Sequence, residues 1–126
     1  MSSIVRAISP EVPEPAPGTW SNCLVVNGIA YLAGMTARGA GLGDEYTQSK
    51  AIFTKIRHLV EAAGGSMADI VKVTIFVTDI RDMGAVSKAL GKALKGSVVT
   101  STLVAVSALA VPGLVVEIES VGVVGT

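Results

Sequence analysis

The sequence contains little charge and few aromatic residues, and both shortages constrain its fold. Of its 126 residues, 16% are charged and 4% are aromatic, whereas 50% are hydrophobic. The core must therefore be built from aliphatic residues, which suits strands rich in Val and Ile. A compact domain of this length leaves roughly a third of its unfolded surface exposed. So many apolar residues predict a single domain over residues 1–126 with part of its surface buried by association.

Other absences exclude whole classes of site and partner. Ten acidic and ten basic residues balance, and Lys and Arg form no cluster along the chain, so no nucleic-acid partner is expected. One cysteine, Cys23, and one histidine, His58, cannot supply an internal disulfide or a metal cluster. The first fifteen residues do not resemble a signal peptide, and no apolar run approaches the roughly 20 residues of a membrane span. We therefore expect a cytoplasmic protein with no membrane partner.

The hydrophobic pattern predicts six strands and two helices in the order β-β-β-α-β-α-β-β. Asn27 and Gly28 separate two apolar runs, which is a strong signal for a tight hairpin. Apolar residues recur at helical spacing after Asp44, a suitable capping residue, and end before Gly64. The predicted strands cover residues 4–8, 22–26, 29–35, 70–77, 102–109 and 114–121, and the predicted helices cover residues 44–63 and 81–94.

Two helices on one side of a mostly antiparallel sheet make a two-layer α+β domain. In the strand 70–77, alternation directs Val71, Val73, Ile75 and Val77 towards the helices. The other face is expected to carry Phe76, Leu103 and either Cys23 or Leu24. Because an uncovered apolar face needs a partner, we expect several copies of the chain to associate through it.

Three stretches of the sequence resemble the Rid (YjgF) family. Residues 27–35 resemble its hairpin, and residues 61–65 with 69–79 resemble its characteristic helix, Gly-Gly, strand and Thr-Asp combination. Residues 101–104 and 116–119 resemble its two closing strands. The resemblance extends over nearly the whole chain.

This resemblance implies a chorismate-mutase-like fold and a homotrimer. The sheets of the three copies would form a central barrel, with a ligand cleft at each subunit interface. Founding members of the family hydrolyse reactive enamines and imines to ketoacids and ammonia without a cofactor. In them an arginine binds the substrate carboxylate, and a glutamate holds the attacking water.

Only part of that machinery is present in this sequence. Glu117 matches the glutamate, whereas Thr100 stands where the deaminases have the arginine. Gly34 matches the glycine of a Ser-Gly pair, but Ala33 replaces its serine and Met35 replaces the glutamine that follows. Trp20 falls where the cleft has an aromatic residue, often tyrosine.

The resemblance makes Thr100, Ser101 and Thr102 a neutral polar wall of the cleft. Their hydroxyl groups can bind an amide, an alcohol or water but cannot neutralise a carboxylate. The ligand is therefore expected to lack the usual α-carboxylate or to meet another cation, for which Arg38 is the candidate. Glu119 shares a strand face with Glu117, but its spacing is equally typical of an ordinary edge residue.

Two functions remain open from the sequence. The first is a cofactor-independent hydrolase of a small enamine, imine or related C–N compound, with Glu117 positioning the water. The alternative is a module that binds or senses a small metabolite in the same cleft without turning it over. A ribonuclease is not expected, because the sequence offers neither a basic groove nor an acid–base pair for that reaction.

Overall fold

A computed structural model describes residues 3–125 of the chain. Two helices pack on one face of a single six-stranded sheet, and the predicted order of elements is confirmed. The strands are β1 (Ile4–Arg6), β2 (Cys23–Val26), β3 (Ile29–Met35), β4 (Ile70–Val77), β5 (Thr100–Ala105) and β6 (Val116–Val123). The helices are α1 (Glu45–Ala62) and α2 (Met83–Leu94), and single turns of 3-10 helix at Met67–Asp69 and Ile80–Asp82 precede β4 and α2.

The sheet is mixed, with the strand order β1-β2-β3-β6-β4-β5. All neighbouring strands are antiparallel except β4 and β5, which are parallel. Since β3 and β4 both run antiparallel to β6, they are parallel to each other, and α1 is the crossover between them. The second crossover, α2, joins β4 to β5, so the two helices run side by side in the same direction.

The core lies between the helices and one face of the sheet. On α1 the predicted apolar face is confirmed, because Ile52, Ile56 and Leu59 are buried. On α2, Val86 and Leu94 are buried as predicted, but Met83 at the first position is 52% exposed. The sheet contributes buried side chains from alternate positions, namely Cys23, Leu32, Val73, Ile75, Val77, Val116 and Ile118.

Two side chains expected on the uncovered face belong to this core. Cys23 is fully buried in it, so Leu24 is the β2 residue that faces the other way. Leu103 pairs with the buried Ile75 on the neighbouring parallel strand and packs against the core. Partners across strands point to the same face, so Leu103 lies under the helices.

A bulge explains why Val71 is exposed rather than buried as predicted. The register between β4 and β6 shifts between Ile70 and Lys72, since their partners Gly122 and Val121 are adjacent. Val71 is the extra residue, 42% exposed, and Ile70 takes the buried position. An extra residue in one strand interrupts the period-two alternation from which the prediction was made.

The hairpin between β2 and β3 is confirmed at Asn27 and Gly28, which both have positive φ, 51° and 78°. Other boundaries move because pairing limits the strands. β5 ends at Ala105, the partner of the last β4 residue, rather than at Leu109. β6 continues to Val123, which pairs with Ile29, and β1 ends at Arg6, the last residue paired with β2.

The buried side chain of Gln48 fixes the start of β6 against α1. Its amide nitrogen donates to the carbonyl oxygens of Gly43 and Gly113 at 3.1 and 2.9 Å. Its Oε1 atom accepts a hydrogen bond from the backbone N–H of Val115 at 3.0 Å. This buried amide therefore uses both of its N–H donors and one of the two lone pairs of its oxygen. These three hydrogen bonds fix the start of the strand that carries Glu117.

Candidate functional site

The carboxylate of Glu117 lies on the open face of the sheet, directly over Gly34. A Cβ atom at residue 34 would overlap this side chain, and the Glu117 Cδ atom would be only 2.9 Å from it. Any residue other than glycine would therefore displace the carboxylate. The bulge in β3 between Leu32 and Met35 brings Gly34 into this position.

The environment of Glu117 favours its protonated form more than water does. Burial, and secondly the negative charge of Glu119, raise the pKa of the Glu117 carboxyl group above its ordinary value. Within residues 3–125 no hydrogen-bond donor reaches this carboxylate. A half-buried carboxyl group with a raised pKa and unused acceptor oxygens can exchange protons with a bound water or ligand.

Beside Gly34 lies an open cavity of about 430 Å³. Its lining brings together four of the predicted site residues, Trp20, Gly34, Met35 and Arg38. The proline-rich segment before β2 forms the opposite wall with Val12, Pro13 and Pro15. The volume is suited to a small metabolite.

The wall formed by the proline-rich segment is held in place by Asn22 and Glu14. The side-chain nitrogen of Asn22, which is buried, donates to the carbonyl oxygens of Val12 and Pro13 at 3.2 and 3.0 Å. The Glu14 carboxylate accepts hydrogen bonds from the hydroxyl of Ser21 and the backbone N–H of Asn22. Trp20, in the same segment, is 55% exposed and offers a free ring surface at the cavity.

Sequence reasoning missed Lys55 on α1, which also lines the cavity. Its Nζ atom donates to the carbonyl oxygens of Thr36 and Arg38, both at 2.7 Å, and thereby anchors the loop that carries Arg38. Burial lowers the pKa of the Lys55 ammonium group. Its spacing could have indicated this position: Lys55 is three residues after Ile52 and four before Leu59, so it lies at the edge of the buried face of α1.

Arg38 itself is exposed, and among the described residues it forms no ion pair. Its backbone N–H donates to the Thr36 hydroxyl at 3.3 Å, which tightens the turn at the cavity mouth. The cavity therefore has one positive charge free to meet an anion and a second, Lys55, largely occupied by the backbone.

The structure does not bring the Thr100–Thr102 segment to this cavity. That segment lies on β5, the edge strand, and β4 separates it from β6. Glu119 pairs with Thr74, and Thr74 pairs with Thr102, so two strand spacings of roughly 10 Å in total separate β6 from β5. Glu117 lies on the next rung, farther from Thr102 still, with Phe76 and Val104 opposite.

Two of the smaller predicted site residues, Ser101 and Ala33, do not present a polar group to the open face of the sheet. Ser101 pairs with the buried Val73, so it points to the opposite face from Thr100 and Thr102 and is not part of the same wall. Ala33 donates its backbone N–H to the carbonyl oxygen of Asn22 at 2.9 Å and packs against the core. Ala33 supports the neighbouring Gly34 but presents no polar group.

The remaining reactive side chains have structural positions. Cys23 is buried, and burial, helped by the negative charge of Glu14, raises the pKa of its thiol to about 11. A thiol that stays protonated is a poor nucleophile. His58 lies half-buried on α1 and does not line the Glu117 cavity. Within the described chain, no group of three or more His, Cys, Asp or Glu side chains could hold a metal ion.

Comparisons of the sequence and of the structure with known proteins point to a single family. The sequence pattern of the family described as "Endoribonuclease L-PSP" matches residues 12–124. A goat protein named 2-iminobutanoate/2-iminopropanoate deaminase is 30% identical over 131 residues, covering 99% of this chain and 95% of its own. The chain belongs to the Rid (YjgF) family.

Solved structures agree with this assignment. A Pseudomonas aeruginosa protein of unknown function superposes with a TM-score of 0.93 at 31% identity, covering 98% of this chain and 94% of the other. RidA from an Antarctic Psychrobacter species superposes with a TM-score of 0.82 at 30% identity, covering 94% and 99% of the two chains. The Rid fold is thus shared over essentially the full length of the described chain, in which no helix is long and apolar enough to cross a membrane.

Proposed function

We propose that this Rid-family chain is a cofactor-independent hydrolase of a small enamine, imine or related C–N compound. Glu117 positions the attacking water in a cleft that a second copy of the chain completes, within a homotrimer. The observation that carries the proposal is the carboxylate of Glu117, with its raised pKa, lying over Gly34 beside an open cavity. The goat relative, named as an iminobutanoate and iminopropanoate deaminase, supports the reaction class.

The need for a second copy follows from the separation of the site residues. Trp20, Gly34 and Arg38 line the cavity and Glu117 lies over Gly34, whereas Thr100 and Thr102 lie on the edge strand. The same face exposes apolar surface, including 50% of Tyr31 and 41% of Val104. Burying that face between copies would remove apolar area from water and place the edge strand of one copy next to Glu117 of another.

The chemistry requires only water and one carboxyl group. Ionised Glu117 accepts a proton from water as the oxygen bonds to the carbon of the protonated imine, and the C–N π electrons move to the nitrogen, which yields a neutral carbinolamine. The protonated carboxyl group then gives its proton to the amine nitrogen. The C–N bond breaks as the hydroxyl proton passes to the ionised Glu117 carboxylate and the oxygen forms the carbonyl group, with ammonia or an amine released. The raised pKa of the Glu117 carboxyl group serves both proton transfers, because it makes the ionised form a stronger base and the protonated form easier to reach.

The substrate class follows from the charges in the cleft. Thr100 offers a hydroxyl group where the resemblance places an arginine, so a carboxylate there would have no cation from β5. Arg38 supplies the positive charge that the described part of the cavity leaves free. The preferred substrate is therefore neutral near the reacting carbon, or has an anionic group far enough away to reach Arg38.

The alternative function is a module that binds a small metabolite without turning it over. One observation favours it: no donor among residues 3–125 orients the Glu117 carboxylate, whereas a catalytic base is usually held by a partner group. The cavity and the family fold fit both functions, and only turnover separates them.

The deciding experiment compares Glu117→Gln with Glu119→Gln in ammonia release from a panel of enamines, imines and amides. The first substitution keeps the shape but removes the basic oxygen, so turnover of any accepted substrate should fall about 10²–10⁴-fold. The matched variant, two residues along the same strand, should keep the wild-type plateau rate. Glu117→Gln within about threefold of wild type would show that the catalytic role is wrong and would leave the binding module.

A further inference from the structure

Positive charge gathers on the outer surface of the helical layer, at a place distinct from the Glu117 cavity. The Nζ atoms of Lys50, Lys88 and Lys92 lie 5.6, 5.4 and 5.7 Å from the centroid of the Tyr46 ring. Lys and Arg form no cluster along the sequence, but the fold brings these three lysines together. Residues four apart share a helix face, and the packing of α1 against α2 joins two such faces that are far apart in sequence.

A groove of about 280 Å³ lies between the two helices beside this cluster. Its floor is apolar, with Phe53, Met67 and Ala89, and its rim carries four cations, namely Lys50, Arg57, Lys92 and Lys95. Lys88 lies next to the groove, at the Tyr46 ring. No acidic residue of the described chain lines it. The groove thus combines an apolar surface with a basic rim.

Lys50 and Lys92 of the rim, and Lys88 beside it, have no carboxylate partner among the described residues. Arg57 has a carboxylate partner, Glu61, at 3.6 Å, but none of the ion pairs within residues 3–125 includes Lys50, Lys88 or Lys92. Their charges reach Tyr46, whose phenol pKa is lowered, first by a hydrogen bond with Lys92 and then by the charges of the three lysines.

Ordinary structural roles explain only some of these cations. Lys92 lies in the last turn of α2, where the helix dipole favours a cation, and the Tyr46 ring attracts an ammonium group. Lys88 and Lys92, in contrast, lie one turn apart on α2 and repel each other. A single tyrosine ring does not compensate three ammonium groups, so the groove attracts an anion.

We propose that this groove binds a small organic phosphate. The phosphate oxygens would meet the ammonium groups of Lys50 and Lys92, with the charge of Lys88 nearby at Tyr46, and the apolar part of the molecule would rest on Phe53 and Ala89. A phosphate monoester brings close to two negative charges and several acceptor oxygens, which matches a rim of lysines that act as point charges. The site lies on the helical side of the sheet, so it is independent of the cleft at Glu117.

The test is calorimetric titration of the full chain with adenosine monophosphate, using adenosine and inorganic phosphate as separate probes. We expect saturable binding of the nucleotide, with one molecule per chain, that weakens as salt is raised. Adenosine should bind at least about tenfold more weakly because it lacks the charge. Inorganic phosphate should also bind more weakly, since it lacks the apolar part.

Matched substitutions connect that binding to the groove. Lys92→Gln should weaken nucleotide binding about tenfold, whereas Arg81→Gln, which also removes one exposed charge but lies outside the groove, should leave binding within twofold. Circular dichroism checks that both variants are folded. Three results would each overturn the proposal. They are a lack of saturable binding at millimolar nucleotide, equal effects of the two substitutions on binding, and an equal affinity for inorganic phosphate and nucleotide. Much tighter binding of single-stranded RNA would also overturn it, in favour of a polymer site.

Discussion

The two faces of the sheet are made by the same strands but differ in burial and in charge. Towards the helices, Ile75, Val116 and Ile118 are buried in the hydrophobic core. Towards the open side, the residues next to them in sequence, Phe76 and Glu117, are half-buried, and Glu117 has a raised pKa. Strand alternation thus lets one segment provide stability on one side and chemistry on the other.

The comparison teaches that the open face is incomplete in the single chain. The helical face is closed by side chains of its own copy, whereas the open face leaves apolar and polar groups side by side without cover. Under the proposed function, another copy of the chain excludes water from the half-buried carboxyl group on this face. Folding stability then belongs to one face, and assembly and turnover belong to the other.

The most damaging change to the open face should be Phe76→Glu. If this face is buried between copies, a new unpaired charge in the interface costs several kcal/mol and prevents assembly. Sedimentation at micromolar concentration should then show monomers or misfolded chains. Val98→Glu is the matched control, since Val98 is 91% exposed and outside the sheet. A Phe76→Glu trimer as stable as the control would remove the proposed interface.

On the helical face, Ile118→Ala should lower stability without a direct effect on the site. Ile118 is fully buried and pairs with Met35 and Ile75, so the cavity costs about 2–5 kcal/mol in the free energy of unfolding. Urea unfolding at fixed protein concentration measures this loss.

The neighbouring substitution Glu117→Gln gives the opposite result in the same unfolding assay. The pKa of Glu117 is raised in the folded state, so its ionised form is less favourable there than in the unfolded chain. Glutamine should therefore leave the stability at pH 7 equal to or above wild type. Comparable losses for the two variants would show that the faces do not divide stability and function.

Thr100→Arg sharpens the comparison by placing an arginine where the resemblance implies one. Wild type should release little ammonia from 2-iminopropanoate, because Thr100 cannot pair with its carboxylate. A charge-assisted bidentate contact is worth about 3 kcal/mol here, so the arginine should raise kcat/KM on this substrate about 10²-fold. Thr100→Lys is the control for charge without the bidentate geometry. Wild-type activity equal to that of Thr100→Arg would contradict the assigned role of residue 100.

The smallest expected effect is a shift in pH dependence for Glu119→Gln. The negative charge of Glu119 is the second cause, after burial, of the raised pKa of Glu117. Removing that charge should lower the pKa, so a rate that depends on ionised Glu117 should reach half its maximum at a lower pH. Glu61→Gln, on α1, is the control and should leave the profile unchanged. A midpoint that does not move would mean that another group controls the profile.

Local patterns in the sequence were sufficient for the order of elements and for one helix face. Spacing predicts that Ile52, Ile56 and Leu59 are buried, and paired positive φ angles confirm the turn at Asn27 and Gly28. Both features depend on residues within a few positions of one another, where periodicity and turn chemistry act.

What the sequence could not provide depends on register between distant segments. Val71 is exposed because of a bulge opposite β6, and Leu103 faces the core because β5 pairs in parallel with β4. Lys55 reaches the cavity only because α1 packs beside the 36–38 loop. Such contacts join residues far apart in the chain, for which single-strand alternation carries no information.

Sedimentation equilibrium of the wild-type protein at micromolar concentration tests the central claim most directly. It asks whether the open face around Glu117 is covered by further copies of the chain, and it needs no knowledge of the substrate. The account predicts a single species with three times the 12.8 kDa mass of the chain. A stable 12.8 kDa monomer would contradict it, because the two parts of the proposed cleft would then never meet.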